Sequence, residues 1–449
     1  MIQTALLQNA HSDLVTDAAY DMYGLYLATC SLDQRIKVWE LVVSEHSSTW
    51  TLRDDWKGHD ATVTKLSWAH PTFGTVLASA SFDRTVKIWE QVQMDVDISV
   101  SSSGNLRWFE RAVLLEAKGS VRAIEFAPHH FGLKIATVSS DNHLRVYECF
   151  EQPSLSSWQL VDEVDVPLRP TPSATNGTSV TITLAPGTPN PALGGGSALD
   201  SASVSNILQA TQQQNAAQQG SGRPGVGIRE ADGAWCLSWC KERYWGEILA
   251  VGCGVGGIIK IVQFSSHRRP QVLLALEPTS ASAPSISRHT SRAGASGASA
   301  STATGTTSIG LFGENKTYAV TSVAWAPNCG RSFHLIATGS RDGHVRIWKL
   351  RPPPLNDNVL VDDDDDDEGT LNGEEKWSAS LVADFDDHRA HIGRVEWNIT
   401  GTILSSSGID GKVRLWKQTT DGIWRPSGSI TVEEQEDGTD VDMDESIAD

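Results

Sequence analysis

The sequence predicts an all-β protein, a β-propeller of six four-stranded blades. Three observations predict it. The stretch SLDQRIKVWE at 31–40 returns as SFDRTVKIWE at 81–90, and weaker copies follow along the chain. Each copy is the third of four short β-branched and aromatic segments bounded by Gly, Asp, Ser and Pro, which is strand and turn chemistry. Sixteen Trp against six Tyr is the skew that a repeated tryptophan produces.

Within each repeat the first strand ends in an aromatic residue: LVTDAAY, TVTKLSW, SVRAIEF, GAWCLSW, AVTSVAW and IGRVEW. The second is LYLATCS, TVLASAS, LKIATVS, EILAVGC, HLIATGS and TILSSSG. The third carries a mark, in which Asp33, Asp83, Asp141, Asp342 and Asp410 precede Trp39, Trp89, Tyr147, Trp348 and Trp416 by six residues. In the weakest copy, GGIIKIV, Gly256 and Val262 occupy the two marker positions. A fourth strand follows every mark, from TWTLRDDW in the first repeat to GIWRPSGSI in the last. Four strands with this mark form the signature of the WD40 propeller. The Asp sits in the turn before the third strand, where it can bond backbone amides and a nearby His or Ser, and His59 supplies such a partner in the second repeat. The Trp anchors the third strand and needs a partner for its indole N–H. Repeated residues serve repeated structure, so these carboxylates read as fold residues.

Residues 1–430 form the propeller, interrupted by three insertions and followed by a tail. The insertion at 169–227 is rich in Ser, Thr, Gln and Gly, that at 279–307 in Ser, Ala and Gly, and that at 352–375 in Pro and Asp. None holds enough apolar surface to fold alone. Removing them and the tail at 431–449 leaves roughly 320 residues, about 53 per blade. The net charge of −19 lies wholly in the appendages. Residues 356–375 hold ten acidic groups and 431–449 nine, with no basic residue in either, so the remainder carries 36 of each sign. No basic stripe is present for phosphate contacts, which disfavours direct nucleic-acid binding.

No apolar run approaches a membrane span; the longest of note, 248–259, is twelve residues and glycine-rich. The N-terminus lacks the basic and apolar regions of a signal peptide. Six cysteines without a framework fit a reducing compartment, and the sequons at Asn176, Asn315 and Asn398 then carry no meaning. The chemical motifs each have a plainer reading. CLSWC at 236–240 has the wrong spacing for a zinc knuckle and reads as core cysteines. GCGVGG at 252–257 is followed by the strand IIKIV, not by the helix that a dinucleotide site needs. His388 and His391 in HRAH could hold a metal, but a histidine leading from loop to strand is the plainer account, and His70 in AHP is a lone turn histidine. The aspartate run lacks the Gly and ligand alternation of a calcium loop. Thr290 and Ser291 in SRHTSR form a possible kinase site. No nucleophile stands with a base, so neither an enzyme nor a cofactor is expected.

Six repeats of four strands leave one over. Ahead of the first repeat lies IQTALLQ, a further strand candidate at 2–8. A ring closing at six would leave it unused or added to a neighbouring blade. An open ring would give a seventh blade one strand and need three from elsewhere, and an exposed edge is a ready site for strand addition.

Beyond the general signature, SWAHPTFGTVLASASFDRTVKIWE (67–90), FAPHHFGLKIATVSSDNHLRVYE (126–148), APNCGRSFHLIATGSRDGHVRIWKL (326–350) and VEWNITGTILSSSGIDGKVRLWK (395–417) resemble the Seh-one-type nucleoporins. These are paralogues of the vesicle-coat propeller Sec-thirteen, which shares the AHP-x-FG turn, whereas GRSFH at 330–334 and WNITGT at 397–402 are closer to the nucleoporin branch. The resemblance covers all six blades and omits the insertions and tail. It implies an open ring completed in trans by a three-strand blade from an α-helical scaffold nucleoporin of the Nup-eighty-five type. The strand holding Ile2, Thr4, Leu6 and Leu7 is the expected contact. It also implies a place in the Y-shaped nuclear-pore complex at the nuclear envelope, supporting protein and mRNA transport. A second residence is implied in the SEA/GATOR-type complex that regulates TOR signalling at the vacuolar or lysosomal surface, without membrane insertion. Blade four departs furthest from the pattern. The alternatives are a coat II cage propeller and a WD40 substrate receptor of a ubiquitin ligase.

Overall fold

The protein is described by a computed structural model over residues 7–44, 48–94, 105–151, 154–166, 233–265, 268–278, 318–353 and 376–431. Six antiparallel four-stranded sheets follow one another, each with its strands in chain order. Blade one is β1 (Val15–Tyr20), β2 (Tyr26–Ser31), β3 (Arg35–Val43) and β4 (Ser48–Lys57). Blade two is β5 (Val63–Trp68), β6 (Val76–Ser81), β7 (Val86–Met94) and β8 (Asn105–Leu114). Blade three is β9 (Val121–Phe126), β10 (Lys134–Ser139), β11 (His143–Cys149) and β12 (Trp158–Asp165). Blade four is β13 (Ala234–Trp239), β14 (Glu247–Gly254), β15 (Ile259–Ser265) and β16 (Arg268–Leu276). Blade five is β17 (Val320–Trp325), β18 (His334–Ser340), β19 (Val345–Arg351) and β20 (Ser378–Phe385). Blade six is β21 (Ile392–Trp397), β22 (Ile403–Gly408), β23 (Lys412–Gln418) and β24 (Trp424–Thr431).

The mark works as its chemistry requires. Asp83 Oδ1 accepts from the Thr85 amide at 2.9 Å and closes the β6–β7 turn, and Asp33, Asp141, Asp342 and Asp410 do the same in their blades. The residue after each Asp has a positive φ: Gln34, Arg84, Asn142, Gly343 and Gly411. In blade two His59 lies 2.9 Å from Asp83 through Nδ1 and 2.8 Å from Ser79 Oγ through Nε2, and Trp89 Nε1 donates to the same Oγ at 2.8 Å. Blade one repeats this with His11, Asp33, Thr29 and Trp39, and blade six with His388, Asp410, Ser406 and Trp416. In blades three and five an arginine replaces the histidine. Arg145 bonds Ser139 and Asp141, and Arg346 bonds Ser340 and Asp342. Blade four keeps its sheet without either marker. Its anchor is the fully buried Trp239, whose Nε1 donates to Glu125 O of the preceding blade.

Packing between blades supplies the apolar core. Trp89 and Leu77 face back onto Ala28, Cys30, Ile36 and Val38 of blade one, while Ala78, Ala80, Val86 and Ile88 face forward onto Ile124, Ile135 and Tyr147 of blade three. The same alternation builds the cores between blades three and four, four and five, and five and six.

Blades five and six carry an extra tie. Arg331, in the turn before β18, donates to Gly401 O at 2.8 Å and to Pro327 O at 2.5 Å. Gly401 has φ +61° and lies so close that a Cβ there would sit 2.3 Å from Pro327 O. Next to it, the buried His334 packs among Trp245, Trp325 and Trp377. Burial first, and then the Arg331 charge, lower its pKa to about 4.

Two outcomes are expected. Partial burial would raise the Asp83 carboxyl, but hydrogen bonds from His59 and Thr85 outweigh it and hold it well below the ordinary carboxylate range. Asp83→Ala should therefore cost about 1–3 kcal/mol in urea unfolding at pH 7, because it strands the buried His59. His334 binds its proton less readily folded than unfolded. Its contribution is complete above about pH 6.5 and fades as the pH falls toward 4, by up to about 3 kcal/mol. His334→Phe keeps the aromatic packing and should flatten the stability profile across that window; an unchanged slope would assign it to other groups.

Candidate partner interface

A closed ring of six blades needs six inter-blade cores, and the described residues form five. The interval without one lies between blade six and blade one. On its blade-one side stand Leu27 and Trp39, the counterparts of Leu77 and Trp89, which belong to none of the five clusters. On its blade-six side stand Ser405, Ser407, Val413 and Leu415, which the register places on one face, Ser405 opposite Leu415 and Ser407 opposite Val413. All four are half-buried. Their counterparts in blade two, Ala78, Ala80, Val86 and Ile88, are at most 2 % exposed.

Side-chain ties between inner strands show the same break. Asp17 accepts from Leu66 N, Ser67 from Phe126 N, Glu125 from Trp239 N, Ser238 from Trp325 N and Ser322 from Val395 N, at 3.0–3.1 Å. Each links one blade to the next. A second set comes from the second residue of the first strand: Thr16, Thr64 and Thr321 donate to Val63 O, Val121 O and Ile392 O of the following blade. At the matching position blade six has Gly393, which has no hydroxyl to donate. Instead Arg394 of β21 reaches across the interval to Asp17 Oδ1 at 3.0 Å and Ala18 O at 2.8 Å. Asp17 also takes Lys65 Nζ at 3.0 Å, so its buried carboxylate serves both sides. The interval is thus pinned between the first strands, while among the described residues no apolar core spans it farther out.

The residues singled out in the sequence fall into two groups. The Asp and Trp marks, Tyr147 and His59 are spread around the ring as one turn lock in every blade but the fourth and form no common site. Ile2, Thr4 and Leu6 lie outside the described residues, and Leu7 is half-buried just ahead of His11. The motifs set aside as structural have structural partners. Cys236 and Cys240 are buried and their thiols pushed up to about 12 by that burial. Gly256 and Gly257 fill a strand turn, and His70 caps a short 3-10 turn by accepting from Thr72 N. His388 is the turn-lock histidine of blade six, and His391 is exposed. Thr290, Ser291, Asn176 and Asn315 lie outside the described residues, whereas Asn398 closes the Asn398–Thr402 turn through its own side chain.

Sequence reasoning missed His11, Arg145 and Arg346 as turn-lock members. His11 was findable, since it precedes Asp33 by 22 residues as His388 precedes Asp410. It also missed the bare face of blade six. The signal was LSSSG, where every other second strand has an Ala at the position of Ser405.

The WD domain, G-beta repeat family matches residues 3–40, 50–90, 307–349 and 379–417, which cover marks of blades one, two, five and six. Over nearly the whole chain the protein is similar to proteins of one name. Nucleoporin SEH1 of Saccharomyces cerevisiae is 31% identical over 446 residues, covering 95% of this chain and 99% of that protein. Nucleoporin seh1 of Schizosaccharomyces pombe is 28% identical, covering 97% and 98%. Nucleoporin SEH1 of Homo sapiens is 30% identical, covering 94% and 86%. With a propeller matched from first blade to last, the chain belongs to the nucleoporin SEH1 family.

Proposed function

We propose that this chain is a non-enzymatic scaffold subunit of the nuclear pore, and that its open interval receives strands from a partner. The observation that carries the proposal is the face of Ser405, Ser407, Val413 and Leu415, which has sheet geometry, modest polarity and no blade against it. Three strands laid there, with the segment of Ile2, Thr4, Leu6 and Leu7 as a fourth, would make a seventh blade. They would also cover Leu27 and Trp39 from the other side. Pairing along strand edges supplies affinity through main-chain hydrogen bonds, and side chains of alternate residues supply selectivity. A partner fixed in this way is held in one orientation, which is what a brace in a large framework must do.

The family supports the nuclear pore as the setting. Within it, an α-helical scaffold nucleoporin of the Y-shaped complex, of the Nup-eighty-five type, is the proposed donor. Support of protein and mRNA transport would be indirect, through the framework. A second place in the SEA/GATOR-type complex that regulates TOR signalling, at the vacuolar or lysosomal surface, rests on the resemblance of the blade sequences alone.

The test is native affinity purification of the tagged full chain in high salt, with the bound proteins identified by mass spectrometry. Helical nucleoporins should be recovered, and SEA/GATOR-type subunits in a separate pool. The double variant Ser405→Arg/Leu415→Glu should reduce the bound helical nucleoporin at least about tenfold, roughly 1.4 kcal/mol, without changing the melting temperature of the free protein. Deletion of residues 1–8 should weaken the same association. Recovery of vesicle-coat or ubiquitin-ligase subunits alone, or undiminished binding by the double variant, would reject this reading.

A further inference from the structure

The first strands of successive blades lie alongside one another from β1 round to β21, but β21 and β1 are not close neighbours. Arg394 spans the space that this leaves. Its Nη1 donates to Asp17 Oδ1 at 3.0 Å and to Ala18 O at 2.8 Å, while its Nε lies 3.2 Å from Glu396 Oε2, two residues along β21. The Asp17 side chain is 4 % exposed and ties three blades, since Oδ1 also takes Lys65 Nζ and Oδ2 takes Leu66 N, both of blade two. Asp17, Lys65 and Arg394 line the central channel, a cavity of about 860 Å³ bounded by the first strands of all six blades.

This contact differs in kind from the ties at the closed junctions. There Thr16, Thr64 and Thr321 reach the adjoining strand through a short side chain, and an apolar core holds the same two blades together. At the interval the described residues form no such core, and the Arg394 side chain is 39 % exposed. A charge-assisted hydrogen bond to a buried carboxylate is among the stronger polar contacts. Here it depends on one long side chain that can swing clear into the channel. When it does, Asp17 keeps Lys65 Nζ and Leu66 N, so no buried charge is stranded by the release.

We infer that Arg394 is a releasable latch on the ring. Engaged, it draws blade six toward blade one; released, it lets the interval widen by rotation of blade six about its contact with blade five. A strand entering between β21 and β1 would run where the guanidinium crosses, so Arg394 gives up Asp17 and Ala18 O before a further blade seats there. The latch thereby favours an entering strand that brings its own side-chain donor to Asp17 and Ala18 O. That consequence rests on the strand-receiving function proposed above, whereas the width of the interval in the free chain does not.

The experiment is a pulsed electron-resonance distance measurement on the full chain without a partner. Cys329, the exposed cysteine, is changed to Ser, and spin labels are attached at Thr49→Cys of β4 and Ser429→Cys of β24, exposed residues of the outer strands on either side of the interval. A control pair, Arg107→Cys of β8 and Gln159→Cys of β12, spans the closed junction between blades two and three. Arg394→Met, which leaves a long side chain without a donor, should lengthen the mean distance across the interval and broaden its distribution at least about twofold, as rigid-body rotation does, with the control pair unchanged. Arg394→Lys restores the charge without the planar fork and should fall between the two. An unchanged interval distance in Arg394→Met, or equal broadening of both pairs, would overturn the latch. Neither pair involves a partner, so the outcome is separate from that of the affinity purification.

Discussion

Everything in this molecule depends on one constraint: a blade buries one of its faces only if another blade stands against it. Each sheet has a backward face carrying the marker residue, an aromatic in every blade but the fourth, and a forward face carrying small and β-branched residues, and burial of both faces contributes apolar stabilisation. The ring is therefore a chain of interfaces, and the stability of each blade is shared with its neighbours. Six blades joined by five such interfaces leave two faces to account for, one on blade six and one on blade one. Their composition shows how the sequence accommodates this. The forward face of blade six has hydroxyls at Ser405 and Ser407, which tolerate water and also a partner. The backward face of blade one keeps a full Leu27–Trp39 pair, which is buried although it belongs to none of the five inter-blade cores.

How much of this was legible in the sequence follows from what repeats. Strand number, order and approximate limits were legible, because each strand is a short alternating or fully buried run ended by turn residues, six times over. Blade four shows why the repeat could still be recognised where the mark is lost. The mark locks a turn, whereas the sheet is held by burial of Leu249, Val251, Ile259 and Ile261, and those residues remain. The identity of the lock was less legible. A histidine 22–24 residues ahead of the Asp and an arginine four residues after it answer the same need, a donor beside a half-buried carboxylate. Only contact in space reveals that Arg145 and His59 are equivalent.

The interval itself was legible only as arithmetic. Counting strands left one over but could not say on which side of the ring the break lay. That information is carried by the faces of strands, where the Ala-to-Ser change at Ser405 and the Thr-to-Gly change at Gly393 become meaningful once their neighbours are known to be missing. A glycine in an inner strand and a serine in a second strand are individually unremarked. Together, both sit on the side of blade six that faces no other blade.

A blade with an apolar core on one face only must be held well there, and blade six is. Thr321 and Ser322 reach its first strand, Trp397 Nε1 donates to Ala324 O, and Arg331 ties its Asn398–Thr402 turn to the turn before β18. These last two turns lie in GRSFH (330–334) and WNITGT (397–402). Seventy residues apart in the chain, they are a single contact in the fold, with Arg331 donating to the carbonyl of a glycine that no larger residue could replace. Rotation of blade six away from blade five is opposed by that neighbour and, across the interval, by the contacts of Arg394 with Asp17 and Ala18. Arg331 acts where the turns between the first and second strands of the two blades meet. The open interval and the Arg331 contact are therefore two parts of one requirement, that a terminal blade keep its orientation with an apolar core on one face only.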